Sequence, residues 1–326
     1  MAVLVTGATG FVGSWLVRRL LEQGERVHVL HRSSSNLEDL AGLDFASALG
    51  DVTDSESVKR ACQDVETVFH LAGVVGYSPA MRPLMESVNV GGTRNVAYAL
   101  RGTGKRLVYM SSVVAVGASL KPIPLNENSP YTVGPLNLGY FETKKKAEDL
   151  VMNLCGSGEL NATMVNPSTI YGATDAKKGS RKTQVKVARG EFPFYTSGGV
   201  SVVSVHDVVE AVLAAKEKGR VGHRYILSGE NMTIHELFNR IAELAGVRAP
   251  WLYLPNPVVR SIGLVGDTLE KLGKKGPLTS ENAWTSILFH WFDHSKATAE
   301  LGFQPRPAQQ ALSESVEWMR NNGILK

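Results

Sequence analysis

Cysteine is nearly missing from this 326-residue chain: Cys62 and Cys155 are the only two and lie far apart. That spacing supports neither a disulfide framework nor a thiolate metal site, so no metal is expected and a reducing, cytoplasmic setting is. No run of about 18 apolar residues occurs, and the start MAVLV passes into a glycine turn without a basic leader or cleavage site, so no membrane partner is expected. Charge of one sign is not in excess. Lys and Arg number 35 against 31 Asp and Glu, a formal charge of +4 that is too small and dispersed for a nucleic-acid footprint. The short clusters Lys144-Lys145-Lys146, Lys177-Lys178 and Lys274-Lys275 read, by themselves, as solvated. Neither an internal repeat nor a low-complexity tract is present.

The remainder is the composition of a folded protein, with 43% hydrophobic, 20% charged and 7% aromatic residues. Single cores stop growing at roughly 250–300 residues, so two lobes are expected. The first 170 residues alternate short apolar runs with helical stretches: AVLVTG and a helix to Gln23, RVHVLH, DFASALGD and a helix, then ETVFHLAG. A long helix follows over Arg82 to Leu100, then RLVYMSS, a helix from about Tyr140 to Cys155, and NATMVNP. Near-continuously apolar runs such as RLVYM suit strands covered on both faces, and this order predicts a doubly wound parallel α/β sheet. After Pro167 the regularity breaks. A basic loop (Ala173 to Thr183) precedes a strand and helix in GGVSVVSVHDVVEAVLAA, the strand HRYILSG, and amphipathic helices such as Ile234 to Ala245.

The opening TGATGFVG sets Gly7, Gly10 and Gly13 between a strand and a helix whose Val12, Leu16 and Leu20 share one face. Glycines there let the backbone approach a pyrophosphate, which the helix N-terminus holds through its N–H groups and dipole. A tight turn without a ligand is the plainer reading, but the strand before and the helix after favour the phosphate. The second strand ends at His31-Arg32-Ser33-Ser34, where a carboxylate would prefer the ribose hydroxyls of NAD. A guanidinium there pairs instead with a 2′-phosphate, so NADP is favoured and NAD remains possible, Arg32 as a plain surface charge being the alternative. Asp51, in GDVTD, is placed to accept from the adenine amino group, while Thr53 and Glu56 have capping-box spacing for the next helix.

In LGYFETKKKAEDLVMNLC a buried stripe is expected through Tyr140, Lys144, Ala147 and Val151. Lys145 and Lys146 rotate about 100° and 200° away from it. An ammonium one turn from a phenol brings its pKa down from about 10 towards working pH, which makes an acid–base pair. Tyr-x-x-x-Lys alone is weak. Its weight comes from Ser111-Ser112 ending the preceding strand, on the sheet edge where Gly7, Arg32, Asp51, Gly73 and Asn166 should also fall.

These segments, with FHLAG, NVGGTRN, MSSVVAVG, NPSTIYG, SVHDVV and HRYILSGEN, resemble the short-chain dehydrogenase/reductase superfamily over nearly the whole chain. The match is to its extended (NAD-dependent epimerase/dehydratase) branch, and most of all to bacterial dihydroflavonol 4-reductase-like proteins. The resemblance implies a Rossmann sheet, residues 1–168 with about 200–228, and a smaller, interleaved C-terminal α/β substrate lobe, about 169–199 with 229–326. It implies that Ser112 holds a carbonyl oxygen, Tyr140 transfers the proton, Lys144 binds the nicotinamide ribose, and Asn89 supports them. Cofactor contacts are expected from Gly7, Thr9, Gly10, Phe11, Val12, Gly13, Arg32, Ser33, Asp51, Val52, Leu71, Ala72, Gly73, Lys144, Asn166, Pro167 and Ser168. Two departures matter: the plant reductases' NWYCY-type segment is replaced by PLNLGYFETK, and the arginine of the sugar epimerases' RPxxxYG segment is Asn166.

The expected activity is an NADP-dependent reduction of a small-molecule ketone or aldehyde, reversible to alcohol oxidation. An NAD-dependent nucleotide-sugar epimerase or dehydratase is the alternative, and a non-catalytic cofactor-binding protein is a third. Tyr77, Met81, Leu136 and Asn137 are candidate substrate contacts. Trp251, Tyr253, Trp284, Phe289 and Trp291 would pack a core or line an apolar pocket. His206-Asp207 would cap a helix, and His70 would complete a strand. The Arg82–Leu100 and Tyr140–Cys155 helices could pair two copies as a homodimer, and a monomer reads equally well.

Overall fold

The computed structural model describes residues 2–177, 181–274 and 276–325. Its centre is a seven-stranded sheet of β1 (Ala2–Thr6), β2 (Arg26–His31), β3 (Ala46–Leu49), β4 (Thr67–His70), β5 (Arg106–Met110), β6 (Asn161–Pro167) and β10 (Arg224–Leu227). All pairings within it are parallel, in the order β10-β6-β5-β4-β1-β2-β3. The chain winds outward from β1 through β2 to β3, then restarts at β4 on the other side. Between β1 and β4 the order reverses, which opens a crevice beyond the carboxyl ends of the strands.

Both faces are covered because the strands are apolar on both. On one side α1 (Phe11–Glu22), α7 (Val205–Lys218) and α11 (Ser295–Leu301) bury Leu16, Leu20, Val208, Val212 and Leu301. On the other, α2 (Ser55–Ala61), α4 (Thr93–Leu100) and α5 (Gly139–Gly156) bury Val58, Val96, Ala147 and Val151. Each such Val or Leu side chain contributes about 1.5–3 kcal/mol when fully buried. The helix expected over Arg82 to Leu100 is continuous but not uniform: α3 (Arg82–Met85) and α4 flank a π-helical segment, Glu86–Gly92.

A second layer holds β7 (Thr169–Tyr171), β9 (Gly199–Ser204) and β11 (Glu230–Thr233) in the order β11-β9-β7. Residues 200–204, expected with the large sheet, therefore pair in this smaller one. Against it pack α6 (Lys182–Ala188), α8 (Ile234–Ala245) and α12 (Ala308–Asn321). A two-stranded piece joins β8 (Phe194–Tyr195) to β12 (Leu252–Tyr253). Beyond it α9 (Asn256–Lys271) lies against α10 (Ser280–Ile287).

Several local expectations are corrected. Asp54, not Thr53, caps α2, accepting from the Glu56 N–H at 3.1 Å, because Asp51 has already taken the Thr53 N–H and hydroxyl at 2.9 and 2.8 Å. Ser204 caps α7 ahead of His206-Asp207, and Asp207 pairs with Arg306 at 2.8 Å. The basic loop contains a 3-10 turn, Asp175–Lys177, and gives way to α6 at Lys182, while Lys178 falls outside the described residues. Within the basic clusters Lys144 is buried, and Lys145, Lys146 and Lys177 pair with Asp149, Glu86 and Asp39. Lys275 is also outside the described residues, beside an exposed Lys274. Trp251 and Tyr253 lie outside the core, 58% and 44% exposed. His70 does end β4, buried between the hydroxyls of Thr6 at 2.7 Å and Thr93 at 3.1 Å.

Candidate active site

At the carboxyl edge the first turn is shaped by what it leaves out. Gly7 has φ +72°, and a Cβ there would come within 2.5 Å of the Ala72 nitrogen, so only glycine lets this turn lie against Leu71-Ala72. A Cβ on Gly13 would overlap the Gly7 carbonyl oxygen, so α1 starts directly over the turn. Gly10, which has no side chain to cap with, precedes α1, whose first turn contains the buried Phe11 and Val12. The positive end of the helix dipole over a turn whose Gly7 and Gly13 have no room for a side chain fits a pyrophosphate.

Arg32 and Ser33 stand exposed just past β2, where the Arg32 N–H donates to Ser35 Oγ at 3.2 Å. The guanidinium has no ion-pair partner among the described residues. Asp51, half-buried past β3, spends one carboxylate oxygen on Thr53. Val52 packs under Gly92, where a Cβ would come within 2.9 Å of it. Ser168, just past Pro167, donates its N–H to the Leu227 carbonyl at 3.1 Å and ties β6 to β10. Residues suited to phosphate, ribose and base thus follow successive strands along one crevice.

Tyr140 and Lys144 lie on the buried face of α5 with Ala147 and Val151. Ser112, 9% exposed, follows β5 and begins a 3-10 turn. Ser112 Oγ accepts from the Val114 N–H at 3.4 Å, and its hydroxyl faces the Tyr140 phenol closely enough to favour the phenolate. Burial nevertheless raises Tyr140 far above the usual phenol range, with Tyr77 adding to the rise and the Ser112 hydroxyl opposing it. In the free protein the phenol is therefore not drawn down towards working pH, as was expected of it beside Lys144. Here the Lys144 ammonium instead donates to the Met110 carbonyl at 3.0 Å and sits 5.2 Å from the Tyr109 ring. Burial pushes Lys144 down to about 8, opposed by the Glu148 carboxylate one turn further along. Asn89, in the π segment, is fully engaged: its Oδ1 accepts from Val74 N at 2.7 Å, and its Nδ2 donates to Val74 O at 2.9 Å and Thr143 Oγ1 at 3.2 Å. Its geometry is that of a clamp on the loop after β4. A Cβ on Gly73 in that loop would lie 3.3 Å from Asn89 and 3.5 Å from the Lys144 ammonium.

Around Tyr140 the lining is apolar. Tyr77 meets it edge to face at 6.1 Å, and Met81, Leu136, Leu138 and Val114 belong to the same cluster. Asn137, by contrast, is tied to Arg82 through its side-chain oxygen at 3.0 Å.

Three residues escape any reading of local spacing. Glu281 of α10, 5% exposed, accepts from Arg82 Nε at 3.0 Å and from the Gly139 N–H at 3.1 Å, so a carboxylate from the far lobe caps the helix that carries Tyr140. Glu148 is buried between Arg224 Nη1 at 3.0 Å and Asn166 Nδ2 at 2.6 Å, and Asn166 also donates to the Ser112 carbonyl at 3.0 Å. Each partner lies on a different element, and no motif links them.

The model of the NAD dependent epimerase/dehydratase family matches residues 3–228. A Methylococcus capsulatus protein named sterol demethylase protein B is 33% identical, over 100% of both chains. A Synechocystis protein provisionally named a dihydroflavonol 4-reductase is 31% identical, over 99% of this chain and 95% of its own. The solved structure of gox2253 superposes with a TM-score of 0.88 at 34% identity, covering 100% of this chain and 99% of that one.

Proposed function

This chain belongs to the NAD dependent epimerase/dehydratase family and is an NAD(P)-dependent enzyme acting on CH–OH or carbonyl groups, and we propose that it uses NADPH to reduce a ketone or aldehyde. One observation carries the reading: Tyr140, buried in an apolar cluster with Ser112 beside it at the end of β5, lies on the sheet edge that also bears the glycine turn and Arg32. The seven-stranded sheet with its helices serves as the cofactor lobe, and the remainder as the substrate lobe. Gly7 to Gly13 hold the pyrophosphate, and Arg32 with Ser33 takes the 2′-phosphate. Asp51 and Val52 face the adenine, and Leu71 to Gly73 with Asn166 to Ser168 line the rest.

When bound, NADPH supplies the hydride, which no side chain can provide. The chain's own part is the oxygen and the proton. Ser112 donates to the substrate carbonyl and fixes its position, a contribution that preorganised donors make without reorganising. Tyr140 gives the proton to that oxygen, and its raised pKa keeps the acid form present in the free enzyme. Lys144, held at about 8, carries its charge at neutral pH and is the group placed to bind ribose hydroxyls and steady the phenolate once the proton has gone. Tyr77, Met81 and Leu136 exclude water and favour a carbonyl on an apolar, ring-shaped compound. The relative named for sterol demethylation supports that class.

Titration of the purified protein with NADPH and NADH tests the assignment. NADPH should bind at least about tenfold tighter, and Arg32→Ala should remove most of that margin, since a charge-assisted bond contributes about 1.5–3 kcal/mol. Tightly retained NAD in the protein as isolated would overturn the reading in favour of an epimerase or dehydratase.

A further inference from the structure

Of the large apolar side chains that stand exposed among the described residues, half fall in one short stretch: Trp251, Leu252, Tyr253, Val258, Leu264, Val265 and Leu272. Single exposed apolar residues are ordinary, but a concentration of this kind marks a surface that meets something. Helix α9 shows how it is built. Its inward face is Val259, Gly263 and Gly266, and a Cβ on Gly263 would lie 2.8 Å from that of Ala283, so this side is closed against α10. A second apolar row, Val258, Ile262, Val265, Leu269 and Leu272, recurs every four and three residues and therefore runs as one stripe along the helix. Val258, Val265 and Leu272 on it are 45%, 56% and 68% exposed. Ile262 and Leu269 are half-buried between them, and among the described residues no core cluster takes in any of the five.

Charge decides what does. Residues 247–277 contain five Lys or Arg (Arg248, Arg260, Lys271, Lys274 and Lys275) against two acids, Asp267 and Glu270, most of the chain's net +4. Glu270 is already engaged by the Ser78 hydroxyl. Two copies meeting on this stripe would bring like charges together. The positions flanking it, Ser261, Gly266, Thr268 and Gly273, also offer none of the paired charges that join helices along such a seam. A negatively charged, apolar surface satisfies both features. The helix itself is charge-balanced, Arg260 and Lys271 against Asp267 and Glu270, and the basic excess lies at its two ends, Arg248 before it and Lys274-Lys275 after it. An apolar stripe with exposed Trp and Tyr and basic ends suits the headgroup plane of a bilayer. With 16 residues, α9 lies flat, and no helix among the described residues is long and apolar enough to cross a membrane.

We propose that the outer face of α9, with Trp251 to Tyr253 at its start, is a peripheral docking surface for anionic lipid bilayers. The expectation of no membrane partner rested on the lack of a spanning run, and this surface is a different feature. Its placement also ties it to the site. Glu270 bonds Ser78, Thr279 bonds the Tyr77 carbonyl, and the Tyr77 ring lies against Tyr140. Docking itself does not rest on the carbonyl-reductase reading; its use in presenting an apolar substrate does.

Sedimentation of the full chain with phosphatidylcholine vesicles, with and without phosphatidylglycerol, tests it without substrate or cofactor. Binding is expected only with phosphatidylglycerol and should fall away in about 1 M salt, where charges are screened beyond about 3 Å. Each of Lys271→Ala and Lys274→Ala should weaken it about fivefold, the loss of one surface charge near anionic lipid. Val265→Asp with Leu272→Asp should abolish it while the melting temperature stays put, both positions being exposed. Absence of binding to either vesicle would overturn the proposal, as would binding that the double Asp variant retains. A dimer in solution that this variant dissociates would assign the face to a second copy instead.

Discussion

Lys144 is the residue at which structure and chemistry pull hardest against each other. Its ammonium is 5% exposed and held at about 8, below its ordinary 10.5, because burial disfavours the charge. Between those two values the unfolded chain keeps a proton that the folded chain has released, so this residue makes stability rise with pH across that window. Below pH 8 the full penalty is present. Lys144→Met removes the dependence, so the stability of the wild type relative to the variant should grow by on the order of 1–3 kcal/mol between pH 8 and pH 10.5, read as paired melting curves. The same variant should lose at least about a hundredfold in turnover. That Tyr140 and Lys144 would share the buried face of α5, with Ser112 just past the strand before it, was legible in the sequence because the spacing is local: one helical turn, and one strand end. The state of the phenol was not, since it depends on burial by Tyr77 and the cluster around it, which no spacing records. Glu148, Glu281 and Arg224 were illegible for the same reason, because their partners come from other elements.

Among elements, α1 shows what a glycine contributes by omission. Gly13→Ala would drive a methyl group into the Gly7 carbonyl, so the helix must lift away from the turn that aims its amides. Affinity for NADPH should fall at least about tenfold, more than 1.4 kcal/mol, while circular dichroism stays near that of the wild type. Unchanged affinity would show that the phosphate lies elsewhere. Element types were legible because period and breakers agree: RLVYM is continuously apolar, and Ile234 to Ala245 ends at Gly246 with φ +72°. Element ends were less so. In GDVTDSES three residues could cap α2, and the choice fell to Asp54 only because Asp51 captures Thr53. The π segment Glu86–Gly92 left no trace in the pattern, although it is what brings Asn89 to the loop after β4.

Across the whole molecule, the two layers are joined at the site rather than merely beside it. Glu281 crosses from α10 to cap α5 and to pair with Arg82, whose side chain is 35% exposed. Glu281→Ala should destabilise by roughly 1–3 kcal/mol, the loss of a cap and a half-buried ion pair. Turnover should fall about tenfold with little change in NADPH affinity, because the tyrosine helix is mispositioned while the glycine turn is untouched. Equal losses in both would make the residue merely structural. The doubly wound sheet itself was legible from strand–helix alternation, but β9's place in the smaller sheet was not, since the pairing of a strand is set by neighbours distant in sequence. That weaving reaches back to how the chain is made. On a ribosome, β6 emerges with one edge bare, and its partner β10 comes only after residues 168 to 223 have been synthesised. At about 5–20 residues per second this is a wait of roughly 3–11 s, during which an apolar strand edge is open to other nascent chains and a holding chaperone has its clearest foothold.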